Sequence, residues 1–262
     1  IKNKIMAINI NDVYQTVLVI TNKDNRGYIT PEEFNRLADQ AQGEIFESYF
    51  AKESGYELNA NIQSDFADPI LNTSERINVF YANATLTKNG NIFEFPSNFY
   101  RLGVVNVSNT VDSVTKISTA DYVAHEQIKY VNLSPLTAPV DSQPVFTYVG
   151  ETGIRLYPDT ITTGVDIDYI KIPDKPKWGY LMPTASQIAS GVPNEPIYDS
   201  TAFNPATDDY TATAKSYDFR LHPSEKHALV AKILSYAGVV IKQPDVSGFG
   251  QGKDQQIQVT EQ

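Results

Sequence analysis

Residues 30–50 read TPEEFNRLADQAQGEIFESYF, and they carry the strongest periodic signal in the chain. Thr30 predicts a helix cap, Pro31 suits the first helical position, and Glu33 completes a capping box. The apolar residues that follow keep to one helical face for about four turns. They are Phe34, Leu37, Ala38, Ala41, Ile45, Phe46, Tyr49 and Phe50. A long amphipathic helix is predicted, and other elements must cover its apolar face.

Three further helices are predicted from shorter patterns of the same kind. The first spans Asn9–Ile20, with Val13 and Val17 on one face. Another is capped by Thr73 or Ser74, after Asp68-Pro69 has broken the preceding pattern. Its apolar residues are Ile77, Phe80, Tyr81 and Ala84. The last spans Leu221–Lys242 and ends before Pro244.

Between these helices the pattern changes to short β-branched and aromatic runs separated by turn residues, which is typical of strands. Residues 165–169 alternate cleanly, with Asp166 and Asp168 on the face opposite the apolar residues. A short helix is predicted to start within residues 118–121. The candidate strands are Ile92–Phe95, Leu102–Val107, Val111–Ile117, Val145–Val149, Gly153–Tyr157 and Val165–Ile172.

The order of these elements predicts an α+β fold. Residues 1–88 and 221–243 form a helical bundle of three N-terminal helices and one C-terminal helix, and residues 89–174 form an inserted antiparallel β domain. Residues 175–220 are rich in Pro, Thr, Asp and Tyr with little periodicity, and they are predicted to form an extended arm or long loop. Residues 244–262 are predicted to form a flexible tail.

Composition restricts the chemistry more than it defines it. The chain has 262 residues, a net charge of −10, three His and no Cys, so disulfides and thiolate chemistry are excluded. An acidic chain is not expected to wrap nucleic acid, although an acidic wall lets DNA slide past without sticking. No apolar run reaches the roughly 18 residues that cross a bilayer, and no signal peptide is recognisable at the N-terminus.

Residues 22–33 have the spacing of an EF-hand loop, with Gly27 at the sixth position and Glu33 at the twelfth. The first position is Asn22, which removes a charge, and the fifth is Arg26, which places a cation where a carboxylate should coordinate. The favoured interpretation is a turn between two helices, with Gly27 at positive φ and a capping box on the second helix.

Other candidate sites are weaker still. Residues 248–253 resemble part of a phosphate loop but lack its ending and its following helix. His222 and His227 are five residues apart, which does not place two metal ligands on one helical face, and His222 is expected at a helix cap. The carboxylate pairs Asp166/Asp168 and Asp208/Asp209 are interpreted as solvated. The sequence therefore predicts no catalytic residue, no metal site, no cofactor and no enzymatic activity.

Three segments and the closing helix together resemble virion proteins of tailed bacteriophages, closest to the ring (head-to-tail adaptor) proteins of crAss-like podoviruses. The first segment runs from Met6–Tyr14 to Arg26–Asn35. The second is Phe95-Pro96-Ser97-Asn98-Phe99-Tyr100-Arg101-Leu102, a Pro-centred entry into the β region. The third is residues 169–180, which read YIKIPDKPKWGY.

This resemblance implies a structural role. Such adaptors form closed rings of about twelve subunits beneath the portal, contact neighbouring tail rings, and surround a passage for DNA that is not bound specifically. The implied location is the neck or tail of the virion, assembled in the host bacterial cytoplasm, with no membrane partner. The arm at residues 175–220 is expected to lie across an adjacent subunit and bury its aromatic rings there.

Two alternatives remain open at the level of sequence. The β region could hold glycans as a receptor-binding virion module, with exposed tyrosines and Trp178 lining a groove. A hydrolase could use the carboxylates of Asp166 and Asp168 in the β region.

Overall fold

The computed structural model describes residues 7–22, 28–56, 69–111 and 114–240. The chain divides into two compact units, one formed by residues 1–79 with 173–262 and the other by residues 80–172. Helices dominate the first unit and strands the second, so the predicted mixed α+β class is confirmed.

The longer helices lie towards both ends of the described chain, and two short helices lie between them. They are α1 (Ile10–Asn22), α2 (Pro31–Tyr56), α3 (Pro69–Asn78), α4 (Ile128–Leu133), α5 (Ala185–Ala189) and α6 (Lys226–Val240), with a 3₁₀ turn at Pro223–Glu225. Helices α2 and α5 each begin directly after the first residue of a capping box.

Strands fill the middle of the chain, and most of them are short. They are β1 (Tyr81–Leu86), β2 (Lys88–Asn89), β3 (Ile92–Glu94), β4 (Phe99–Val111), β5 (Val114–Thr119), β6 (Asp121–Tyr122), β7 (Val145–Val149), β8 (Gly153–Tyr157), β9 (Val165–Lys171), β10 (Tyr180–Leu181) and β11 (Ile197–Tyr198).

The long helix α2 organises the helical unit as its sequence predicts. Its capping box forms, since the Thr30 N–H donates to the Glu33 carboxylate at 2.9 Å and the Glu33 N–H donates to the Thr30 hydroxyl at 3.3 Å. Its apolar face is buried, with Leu37 half-exposed at the margin. Helix α2 contacts α3 and α6, and α1 contacts α6. Arg76 of α3 also pairs with the buried Glu225 of the 3₁₀ turn at 3.0 Å.

The β unit consists of two sheets with the strand orders β1-β9-β4-β5 and β2-β3-β8-β7-β6. Residues of both sheets form one apolar core, which includes Phe93, Val105, Ile154 and Ile167. The alternation predicted for β9 is confirmed, because Val165, Ile167 and Tyr169 are buried. All pairs in these sheets are antiparallel except the short β6·β7 pair, which is parallel and corrects the prediction of a purely antiparallel region.

The prediction of a helix through Phe80, Tyr81 and Ala84 is wrong. Helix α3 begins earlier, with Pro69 in its first turn, and ends at Asn78. Residues 81–86 form strand β1, which pairs with β9 from Tyr81↔Ile170 to Leu86↔Val165. The same apolar residues fit either period over so short a run, and the pairing with β9, which is remote in sequence, decides in favour of the strand.

The short helix predicted within residues 118–121 is also wrong. Ser118 and Thr119 end strand β5 and pair with Val107 and Asn106 of β4. The short helix of this region is α4, which begins ten residues later, at Ile128. Helix-start residues such as Ser and Thr fit a strand equally well when a long partner strand lies beside them.

Candidate interaction surface

Residues 180–198 form a hairpin that lies outside the core of the helical unit. Its two short strands pair as Tyr180↔Tyr198 and Leu181↔Ile197. Residues 182–196, called the hairpin tip below, include helix α5, in which no residue is buried. The large apolar side chains of the hairpin are exposed to solvent, and they are Leu181, Met182, Ile188 and Ile197.

The hairpin tip is held in shape by its own hydrogen bonds. Thr184 and Gln187 form a capping box, in which the Thr184 N–H donates to the Gln187 side chain at 2.8 Å. At the other end of α5 the Gly191 N–H donates to the Ile188 carbonyl at 3.0 Å, and Gly191 has a φ of 95°. A surface that is ordered before it meets a partner loses less conformational entropy on binding.

Trp178 fixes the base of the hairpin. Its side chain is only 2% exposed and lies 4.3 Å from the Tyr14 ring of α1, measured between ring centroids. The rings of Tyr180 and Tyr198, one on each strand of the hairpin, stack on it at 6.0 and 5.7 Å. The indole N–H donates to Asn11 Oδ1 at 3.0 Å, so its burial leaves no donor unsatisfied.

Two amide side chains of α2 hold the segments that enter and leave this region. Asn35 accepts from the N–H of Trp178 at 2.7 Å and donates to its carbonyl at 3.1 Å. Gln42, buried two turns later, donates to the carbonyl of Asp174 at 2.9 Å and accepts from the N–H of Arg220 at 3.0 Å. Because the two amides are seven residues apart, they lie on one face of the helix.

A buried cation lies just before the hairpin and packs against the loop that follows the hairpin. Lys177 is 5% exposed, and its Nζ lies 4.5 Å from the centroid of the Phe203 ring and 3.4 Å from the carbonyl oxygen of Asp209. Burial lowers the pKa of Lys177, and the carboxylates of Asp209 and Asp208 oppose that shift. The nearby pair Lys215–Asp208, at 2.7 Å, holds the pKa of the Asp208 carboxyl below its usual value.

A second exposed apolar surface lies in the β unit, at residues 130–140. These residues comprise the last turn of α4 and the loop that follows it, and they are called the 130–140 loop below. It follows Ile128, which is buried at the start of α4. Leu133 is 80% exposed and Leu136 is 94% exposed. The turn is closed by the N–H of Ala138, which donates to the Ser134 carbonyl at 2.9 Å. The other exposed apolar residues of the loop are Tyr130 and Val140.

A row of aromatic rings crosses the β unit. Phe95 and Phe99 stack in parallel with centroids 3.8 Å apart, and Tyr148 lies 6.4 Å from Phe95. Tyr122 continues the row 5.5 Å from Tyr148, and both tyrosines are exposed. Burial of part of the ring raises the pKa of Tyr148, and Tyr122 adds to the shift.

The predicted turn at residues 22–33 is described only in part, because residues 23–27 lie outside the described residues, Gly27 among them. Glu33, at the twelfth position of the EF-hand pattern, is engaged with Thr30, whose N–H and hydroxyl hold the pKa of the Glu33 carboxyl below its usual value. The predicted capping box is confirmed. Within the described ranges no group of three or more His, Asp or Glu side chains is arranged to hold a metal ion.

The two helical histidines are not brought together as a pair of ligands. His222 caps the 3₁₀ turn as predicted, since its ring nitrogen accepts from the Ser224 N–H at 3.3 Å. His227 is exposed at the start of α6. The phosphate-loop pattern at 248–253 and the predicted tail at 244–262 lie outside the described residues.

The carboxylates of both predicted pairs accept hydrogen bonds from neighbouring side chains, and Asp208 also pairs with Lys215. Asp168 and Asp166 accept from Asn83 and Thr85, which lie opposite them on β1. Asp209 accepts from the N–H and hydroxyl of Thr211, which lowers the pKa of its carboxyl. A general acid needs a raised pKa, and the lowered pKa values of Asp208 and Asp209 work against such a role.

No protein-family model matches the chain, and no curated protein shows significant similarity to it. Over the part of the chain that is described, no helix combines the length and the apolar character needed to cross a membrane.

The sequence patterns missed the residues that build the hairpin. The apolar pattern of the long helix did not single out Asn35 and Gln42, although their spacing of seven residues beside the buried face was a usable signal. The hairpin itself left a different signal: residues 178–194 carry no charged side chain, which is the longest such run in the chain.

Proposed function

We propose that this chain is a structural subunit of a bacteriophage neck or tail ring, a head-to-tail adaptor that joins the portal to the tail. The observation that carries the proposal is the hairpin at 180–198. A rigidly based element that exposes Leu181, Met182, Ile188 and Ile197 is typical of a protein that is completed by neighbours in an assembly.

The resemblance described above supplies the class of assembly. Under this proposal the helical elements form the bundle that contacts the rings above, and the β unit is an insertion that faces the next ring. The part of residues 175–220 that reaches a neighbour is the hairpin. The base of the segment packs on its own unit, since Trp178 is buried against Tyr14, so the ring of Trp178 is not one that an adjacent subunit buries.

The charge of the chain supports a place beside DNA. A net charge of −10 per subunit, repeated about twelve times around a closed ring, repels a polyanion from the wall of the passage. DNA would then move through the ring without specific contacts. Phage DNA, the portal protein and neighbouring tail rings are the proposed partners, and the virion neck or tail is the proposed location.

Immunogold labelling of purified phage particles tests this proposal. Antibodies raised against the recombinant chain should place gold at the neck or tail tube, and negative-stain images of the same particles should show no label on capsid faces. Label confined to fibre tips, or no label on particles that infect normally, would contradict the proposed role.

The aromatic row of the β unit supports a second candidate, a receptor- or glycan-binding virion module. Tyr122 and Tyr148 expose their rings, and aromatic faces pack well against sugar rings. The expectation that Trp178 lines such a groove is wrong, because Trp178 is buried. A glycan array with the wild-type chain should give hits that Tyr122→Ala and Tyr148→Ala abolish, and an array without hits would remove this candidate.

A further inference from the structure

The hairpin tip and the 130–140 loop share two properties. Each exposes large apolar side chains, Met182 and Ile188 in the first case and Leu133 and Leu136 in the second. Each is also almost free of charge: Glu195 is the single charged residue of the tip, and residues 130–140 contain none. About one residue in five is charged in the chain as a whole, so these two surfaces differ from the rest of it.

Charge decides where copies of this chain can approach each other. With a net charge of −10, two copies repel wherever their acidic surfaces face each other. Uncharged apolar surfaces avoid that repulsion and release water when they meet. The hairpin tip and the 130–140 loop are therefore the surfaces where contact between copies is most favourable.

We propose that the hairpin tip of one copy packs on the 130–140 loop of the next copy in a head-to-tail contact. This inference rests on the proposed function as a ring subunit, and it names the surfaces that close the ring. Ile188 on α5 would meet Leu133 and Leu136, whose side chains are almost fully exposed in the lone chain.

A second copy is the occupant that fits both surfaces at once. Among the described residues the tip and the loop are two separate, nearly uncharged apolar surfaces, and a heterologous contact uses each of them once per copy. A tip-to-tip contact would leave the 130–140 loop uncovered.

Self-association of purified variants tests the contact. Ile188→Asp disables the tip, Leu136→Asp disables the loop, and Ile117→Asp is the matched control because Ile117 is an exposed apolar residue of β5 outside both surfaces. Analytical ultracentrifugation should show that each of the first two variants raises the dissociation constant at least about tenfold, whereas the control behaves as wild type. Circular dichroism should show that all three remain folded, since Leu136 and Ile117 are largely exposed and Ile188 belongs to a helix in which no residue is buried.

Mixing the two disabled variants gives the deciding result. The intact tip of Leu136→Asp can bind the intact loop of Ile188→Asp, so the mixture should form a dimer that grows no further. Self-association of Leu136→Asp alone to wild-type size, or a mixture that stays monomeric, would overturn the contact. A chemical cross-link between Ile188→Cys and Leu136→Cys gives a second readout, and it is clean because the chain has no cysteine of its own.

These outcomes separate the inference from the proposed function. If gold places the protein in the neck while the wild-type chain stays monomeric, or while both disabled variants assemble normally, the function stands and this contact is wrong. If gold is absent from the virion, the proposed function fails whatever the variants do.

Discussion

The side-chain amide of Asn35 brackets the backbone of Trp178, accepting from its N–H at 2.7 Å and donating to its carbonyl at 3.1 Å. The two residues are 143 positions apart, so this pair joins the long helix α2 to the base of the hairpin. Gln42 makes an equivalent bridge two turns later, from Asp174 to Arg220. Two amide side chains of α2 therefore hold the backbone segments from which the exposed hairpin extends.

Replacing Asn35 should therefore destabilise the helical unit. Asn35→Ala leaves the N–H and carbonyl of the buried Trp178 without their partners, and we expect the free energy of unfolding to fall by about 2–4 kcal/mol. Urea denaturation measures this loss. Limited proteolysis should also cut the hairpin tip faster in the variant. The control is Gln15→Ala, an exposed amide on α1, and an equal loss in both variants would contradict the role given to Asn35.

Two glycines should respond in opposite directions to the same substitution. A Cβ at Gly179 would lie 2.2 Å from the carbonyl oxygen of Lys215, so Gly179→Ala forces the two backbones at the hairpin base apart. We expect a loss of at least about 3 kcal/mol. Gly43 lies within α2 with open space around it, so Gly43→Ala should stabilise by about 0.5–1 kcal/mol. Thermal denaturation of both variants checks the pair, and a tolerated alanine at 179 would refute the close packing.

The single tryptophan should report on the helical unit alone. Trp178 is buried beside Tyr14, so its fluorescence should lie at short wavelength in the native protein and move to longer wavelength as this unit unfolds in urea. Asn11→Ala removes the acceptor of the indole N–H and should lower stability by about 1 kcal/mol. Long-wavelength emission from the native protein would contradict the burial of this ring.

Alkaline pH should destabilise the protein through its tyrosines. Burial raises the pKa of Tyr14, and burial together with Asp174 raises the pKa of Tyr210 to about 12. A phenol whose folded-state pKa lies above its unfolded value of about 10 favours folding below that pH, and this contribution is lost as the pH rises through the folded value.

Urea midpoints measured between about pH 9 and about pH 12 should fall as the pH rises. Tyr210→Phe removes one late-titrating phenol and should make that fall shallower, and the ultraviolet absorbance of phenolate should show one fewer group titrating above its ordinary pKa. An unchanged slope in this variant would show that the ring of Tyr210 is not held as described.

The strongest periodic patterns in the sequence predicted their elements correctly. The apolar spacing and capping box of residues 30–50 predicted α2, and the alternation of residues 165–169 predicted the buried face of β9. Patterns shorter than about two turns were less reliable. Residues 81–86 fitted a helix by spacing and became strand β1, because six residues cannot fix their own period and β9 lies beside them.

The candidate interaction surface was only partly visible in the sequence. The uncharged run at 178–194 is plain in the sequence, whereas the predicted extended arm or long loop at 175–220 gave no sign of the short elements β10, α5 and β11 within it. Burial of a lone tryptophan is the usual outcome, but the residues that bury Trp178 were not predictable from an irregular segment. Its burial depends on Asn11, Tyr14 and Asn35, which are remote in sequence.

By itself the sequence determined the acidic charge and the lack of thiol chemistry, because both follow from composition. It also determined the mixed α+β class and the long amphipathic helix, because these follow from the spacing of apolar residues along the chain. Only the tertiary structure decided that residues 81–86 form a strand, that Trp178 closes the base of a hairpin, and that Ile188 and Leu136 remain uncovered. These outcomes depend on contacts between residues far apart in the chain, and local spacing carries no information about which distant partner will be present.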